Sequence, residues 1–177
     1  MSRLMLCGIV SWLVLASPRS GRADEAEDKA VAFVEKLGGR IIRDQKLPDK
    51  PVTEVDLQFA KVTDLGLKEL APLKNITTLD LAGTKVTDAG LKDLAPLKNL
   101  STLYLGGTQV TDAGLKKLAP LQNLTYLYLG HTQVTDAGLK ELAPLKNLTY
   151  LYLGHTQVTD VGVKELQKGL PGCNITK

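Results

Sequence analysis

Asn123 to Asp136 reads NLTYLYLGHTQVTD, and the same letters return at Asn147 to Asp160. Looser copies begin at Asn99 (NLSTLYLGGTQVTD) and Asn75 (NITTLDLAGTKVTD), always 24 residues apart. A fixed period in this range is the mark of a solenoid. Each repeat is then one small supersecondary unit whose apolar face only a neighbouring repeat can cover.

The repeats start at Val52, Ile76, Leu100, Leu124 and Leu148. Apolar residues hold the first, fourth and sixth places, as in Ile76, Leu79, Leu81 and Leu124, Leu127, Leu129. Alternation of this kind predicts a strand with one buried face. A threonine and a valine follow (Thr84 and Val86 in one repeat, Thr132 and Val134 in another), and then Thr-Asp. Both residue types of that pair cap helix N-termini, and a carboxylate there also meets the helix dipole. The next segment, AGLKDLAPLKN, sets Leu91, Leu94 and Leu97 on one helical face, and Pro96 limits the helix to about two turns.

This frame resembles the leucine-rich repeat family. The pattern of leucine, two variable residues, leucine, one variable residue, leucine recurs in four consecutive copies, and the likeness covers residues 52 to 175. The resemblance implies an α/β solenoid: a curved parallel β-sheet on the concave face and short helices on the convex face. Geometry agrees, because strands space at about 4.8 Å and helices at about 10 Å, so the stack curves toward its strands. One departure stands out. The family's usual asparagine is replaced by Thr84, Thr108, Thr132 and Thr156. A hydroxyl cannot reproduce both ends of an amide, so an asparagine ladder is not expected at that position. Repeats with this threonine and a VTDxGL helix start are similar to those of secreted bacterial proteins.

The ends depart from the period. Arg3 followed by the apolar run Leu4 to Ala16, then Gly21-x-Ala23, reads as a signal peptide over residues 1–23, cleaved after Ala23. A secreted or periplasmic protein is therefore expected, with no membrane association once the leader is removed. Residues 24–51 read as an N-terminal cap of one amphipathic helix and one strand, paired antiparallel to the first repeat because the connection is short. Residues 52–166 are the repeats, and 167–177, where Gly169, Pro171 and Gly172 break the register, are a C-terminal cap.

The formal charge of +3 comes from 22 basic and 19 acidic residues, but Arg3, Arg19 and Arg22 all lie in the leader, which has no acid. The remaining 19 against 19 leaves no net basic charge to displace counterions from nucleic acid, which is not an expected partner. Of two cysteines only Cys173 lies outside the leader, so no intramolecular disulfide is expected.

Four chemical readings compete with a purely structural one. The column Asp64, Asp88, Asp112, Asp136, Asp160 suggests a calcium ladder, but it lacks the flanking oxygen ligands such sites use, and helix capping explains it. His131 and His155 share one repeat position, yet no third ligand repeats beside them, so no metal or other cofactor is expected. No serine or other nucleophile stands with a base and an orienting acid, so an enzyme is not expected. Asn75, Asn99, Asn123, Asn147 and Asn174 open glycosylation sequons, which a turn Asn followed by a strand-starting Ser or Thr generates automatically.

The residues that flank each central leucine point away from the core. These outward pairs are Glu54 and Asp56, Thr78 and Asp80, Thr102 and Tyr104, Tyr126 and Tyr128, Tyr150 and Tyr152. They hold all five tyrosines, with His131 and His155 just beyond. The candidate binding residues are therefore Tyr104, Tyr126, Tyr128, Tyr150, Tyr152, His131, His155, Asp80 and Thr102. A monomeric, non-catalytic binding module is expected, with a protein or glycan partner on the concave face. The alternatives are a substrate-recognition subunit, similar to the repeats that follow F-box motifs in ubiquitin ligases, and a purely structural repeat protein.

Overall fold

A computed structural model describes residues 23–177. The expected signal peptide lies outside the described residues except for Ala23, which opens the first helix.

The N-terminal cap is α1 (Ala23–Lys36) and β1 (Arg40–Arg43). The repeats follow as β2 (Val52–Asp56), α2 (Asp64–Leu67), β3 (Thr78–Asp80), α3 (Asp88–Leu91), β4 (Thr102–Tyr104), α4 (Asp112–Leu115), β5 (Tyr126–Tyr128), α5 (Asp136–Leu139) and β6 (Tyr150–Tyr152). The chain ends with α6 (Asp160–Gly169) and β7 (Asn174–Thr176). Each of α2 to α5 is one turn, continued by a three-residue 3-10 turn such as Lys92–Leu94. The proline two residues on, Pro96 in that coil, cannot donate into a longer helix. In α6 no proline intervenes, so the helix runs ten residues, across the boundary between residues 166 and 167 at which the terminal cap is expected to begin.

One seven-stranded sheet runs in order from β1 to β7. β1 pairs antiparallel with β2, and every later pairing is parallel in the 24-residue register that stacks Leu79, Leu103, Leu127 and Leu151. These leucines and their companions at the first and sixth positions are buried, as are Leu91, Leu94, Leu97 and their copies from the helical side. Each such side chain contributes roughly 1.5–3 kcal/mol by leaving water. Ala30 and Val34 of α1 close the N-terminal end of this core, and Leu166, Leu170 and Cys173 close the other. Burial pushes the Cys173 thiol up to about 11, which makes it a poor nucleophile.

Polar columns hold the coils in register, and, as expected, no asparagine ladder forms at the Thr84 position and its copies. Thr84, Thr108 and Thr132 are buried, but each hydroxyl donates within its own coil, to the carbonyls of Leu81, Leu105 and Leu129 at 2.6–2.7 Å. The coil-to-coil links lie elsewhere. Asn99, Asn123 and Asn147 donate Nδ2 to the carbonyls of Lys74, Lys98 and Gln122 at 2.8–2.9 Å, a ladder on the turn before each strand. Thr77, Ser101, Thr125 and Thr149 donate their hydroxyls to the backbone of the preceding coil. Each interior sequon thus supplies its Asn to one ladder, its Ser or Thr to another, or both.

The aspartate column also requires a correction. The N-cap is the threonine: Thr87, Thr111 and Thr135 are extended, and their hydroxyls accept from the N–H two residues on. The aspartate is the first helical residue, and its carboxylate reaches the next coil. Asp112 Oδ1 accepts from Thr135 N at 2.8 Å and Oδ2 from Thr135 Oγ1 at 2.7 Å. Asp64, Asp88 and Asp136 do the same for Thr87, Thr111 and Thr159. These oxygens are committed to protein donors, and among the described residues no group of three or more His, Cys, Asp or Glu converges on a metal position.

Candidate binding face

The outward positions of the strands form two rows. One row is Glu54, Thr78, Thr102, Tyr126, Tyr150 and Asn174, and the other is Asp56, Asp80, Tyr104, Tyr128, Tyr152 and Thr176. Strand alternation puts them opposite the buried central leucines, and the parallel register lines them up at about 4.8 Å steps. All five tyrosines therefore share one face. Tyr126 is 51% exposed and Tyr104 37% exposed, while Tyr128, Tyr150 and Tyr152 are half-buried.

The rings interact along each row. Tyr128 and Tyr152 stack with centroids 4.2 Å apart and planes 12° from parallel. Tyr104 meets Tyr128 at 6.0 Å and Tyr126 meets Tyr150 at 5.7 Å, both tilted. Pairs at these separations contribute about 0.5–1.5 kcal/mol beyond area burial, so the rows are held in place before any ligand arrives. Burial, and after it the neighbouring Tyr152 phenol, push the Tyr128 phenol above the ordinary tyrosine range. Between the rows runs a cleft of about 240 Å³ lined by Tyr104, Tyr126, Tyr128 and Tyr150 and floored by Leu103 and Leu127.

Toward the N-terminus the same face turns acidic. A larger hollow of about 480 Å³ is lined by Arg40, Ile42, Glu54, Asp56, Thr78, Asp80 and Tyr104, among others. Arg40 of β1 pairs with Asp56. The Gln58 N–H first, and then Arg40, hold the Asp56 carboxyl below the ordinary aspartate range. Among the described residues Asp80 has no cationic partner and accepts only the Ala82 N–H, at 2.8 Å. Burial holds its carboxyl above the ordinary range, the Ala82 bond opposes that, and the nearby Asp56 charge adds to the rise. Thr102, the last candidate on the face, separates Thr78 from Tyr126 along its row.

His131 and His155 sit on the rim, not between the tyrosines. Both are exposed, with centroids 4.3 Å apart and planes 11° from parallel. They turn ring faces toward each other, so their nitrogens do not converge on one point. Both occupy the left-handed backbone region, with φ of 58° and 59°, at the repeat position where earlier coils carry Gly83 and Gly107. Phe59 fills that position in the first coil, also left-handed and 74% exposed, with its ring over Gly83.

The sequence reading missed Arg40 and Ile42 as members of this face. They reach it because β1 pairs antiparallel with β2, setting Arg40 against Asp56 and Ile42 against Glu54. Glu54 and Asp56 were legible as outward-facing but were not singled out. Phe59 carries a signal in its register position, a bulky residue in a column that holds glycine in the next two coils.

Comparison with known proteins bears on the fold. Of solved structures, the leucine-rich repeat ectodomain of the receptor kinase SOBIR1 from Arabidopsis thaliana is similar with a TM-score of 0.55 at 14% identity, over 86% of this chain and 91% of that one. A leucine-rich repeat protein of Leptospira interrogans is similar with a TM-score of 0.50 at 24% identity, over 70% of this chain. The match takes in 36% of the Leptospira protein's length. Among curated proteins none matches. The family signature described as Leucine Rich repeat matches residues 50–71, 73–95 and 97–119, and that described as Leucine Rich repeats (2 copies) matches residues 122–168. Together they cover more than half of the 177 residues, and the chain belongs to the leucine-rich repeat family.

Proposed function

We propose that this protein is a non-catalytic binding module of an exported protein, and that it holds a protein partner on its concave face. The observation that carries this reading is the two-row tyrosine array around an open cleft. Tyrosine combines large rigid contact area with a polar tip, and an exposed aromatic cluster is the usual core of a binding surface. The stacked rows lose little side-chain freedom on binding, which favours affinity. Family membership supports the same reading, since leucine-rich repeat proteins serve in general as interaction modules.

Tyr104→Ala combined with Tyr126→Ala tests it, because these are the two most exposed rings. The partner captured by the full chain from the extracellular fraction should bind this variant at least about tenfold more weakly. Lys116→Ala, on the helical side, is the control, and circular dichroism confirms that both variants fold. Unchanged affinity in the folded tyrosine variant moves the binding surface elsewhere.

A further inference from the structure

The tyrosine cleft and the acidic hollow are not separate features. Tyr104 is a wall of both, so they form one continuous trough across β2 to β6. The two ends differ in chemistry. At the tyrosine end the cleft of about 240 Å³ is below the roughly 300–1,000 Å³ of an ordinary small-molecule site, a size for one or two large side chains. At the other end Glu54, Asp56 and Asp80 face a single guanidinium, Arg40, which is committed to Asp56. Among the described residues Glu54 and Asp80 have no cationic partner. Leaving a half-buried carboxylate unpaired is unfavourable, and an incoming positive charge removes that penalty. The ring of Tyr104 at the boundary offers a cation a further attraction.

We propose that the trough takes an extended peptide with a lysine or arginine two or three positions from an aromatic or branched apolar residue. The basic side chain enters the Glu54–Asp80 hollow, and the apolar one enters the tyrosine cleft. The spacing follows from the sheet. Asp80 lies on β3 and Tyr126 on β5, two strand steps or about 10 Å apart. An extended peptide covers that distance in about three residues. Charge favours a basic peptide over a glycan: the hydroxyls of a neutral sugar can donate to the carboxylates but bring no countercharge, and an acidic sugar is repelled by them. This specificity rests on the concave-face reading above, and the test separates the two.

The probe is a displayed library of random nonapeptides selected on the immobilised full chain, with a glycan array run beside it. Parallel selections use Glu54→Gln with Asp80→Asn, and Tyr104→Ala with Tyr126→Ala. The wild-type pool should enrich a basic residue two or three positions from an apolar one. The acid variant should keep the apolar enrichment and lose the basic one. A peptide from the wild-type pool should bind the acid variant about tenfold more weakly at physiological salt. That difference should shrink at 1 M salt, where screening acts within about 3 Å. The tyrosine variant should lose the peptide altogether. A pool without the basic residue in that spacing, or equal affinity for the acid variant, overturns the peptide assignment. Glycan binding that disappears in the tyrosine variant, with no basic peptide selected, overturns the assignment but leaves the concave-face reading standing. Selected peptides that bind the tyrosine variant as tightly as wild type overturn both.

Discussion

Asp112→Ala separates the two explanations of the aspartate column. If these carboxylates serve only their own helices, every member of the column should matter equally. The structure gives Asp112 a second task, since it accepts both the Thr135 N–H and the Thr135 hydroxyl of the next coil. Removing it strands a half-buried backbone N–H, worth about 1–3 kcal/mol, and loses a hydroxyl bond worth about 1 kcal/mol. The expected loss is about 3 kcal/mol, which lowers the urea midpoint by about 1.5 M at a slope near 2 kcal/mol/M. Asp112→Asn keeps an acceptor for the Thr135 N–H and should lose less than half as much. Asp160 is the internal control: it sits at the same helix position, but its side chain is 82% exposed and it pairs only with Lys177. Asp160→Ala should leave the midpoint almost unchanged. All three variants are measured by urea unfolding followed by circular dichroism, with unchanged slopes as the sign that the unfolded state is unaltered. Equal midpoint shifts for Asp112→Ala and Asp160→Ala would refute the inter-coil role.

Asp80 holds its proton to higher pH in the folded protein than in the unfolded chain, so its ionised form lowers stability above the folded pKa and the penalty vanishes below the ordinary aspartate value. Asp80→Asn should therefore raise the urea midpoint at pH 7 and leave it unchanged near pH 3. Gly130→Ala would place a Cβ 2.6 Å from the Tyr152 ring, so the ring must move and the near-ultraviolet circular dichroism of the stacked pair should fall, with far-ultraviolet signal retained. Leu127 is buried in a central coil, and Leu127→Ala should lower stability by roughly 2–5 kcal/mol. Lys140, exposed on the helical side, should tolerate Ala within about 0.5 kcal/mol, both by urea unfolding.

The register of the solenoid was legible because it depends on local facts. Leucine spacing within a strand sets which side chains point inward, and an unbroken period of 24 sets which strand lies beside which. From those two facts the alignment of Tyr126 with Tyr150 follows without coordinates. The polar ladders depend instead on how one coil sits on the next. Asp88 bonds Thr111, 23 residues on and one short of the period, because the helix start of one coil leans toward the cap of its successor. The signal for that link was present in sequence as an acid and a threonine repeating at this offset, but capping explained the same residues more simply. Arg40 and Ile42 could not be placed, because a turn between Asp44 and Pro51 and a bulge at Ile42/Arg43 set the register of β1.

Duplication alone accounts for Tyr150 and Tyr152, since the last two repeats share their strand letter for letter. It does not account for the residue that follows each strand. Where the outward row carries Asp80, the next outward position is Ala82; where it carries Tyr104, Tyr128 or Tyr152, that position is Gly106, Gly130 or Gly154. The Tyr128 and Tyr152 rings lie against Gly106 and Gly130 of the coil before, and a Cβ at Gly106 would stand 3.2 Å from the Tyr128 ring. A Cβ at Gly130 would stand 2.6 Å from the Tyr152 ring, so alanine cannot be placed beneath that ring without moving it. The less divergent copies could have inherited their glycines together, but Gly106 already accompanies Tyr104 in the repeat whose strand, STLYL, differs from the duplicated one. The side chain is absent where the Tyr128 and Tyr152 rings lie over the coil before them. These glycines seat the stacked Tyr128 and Tyr152 rings, and the row they hold in place is part of the surface proposed above for contact with another molecule.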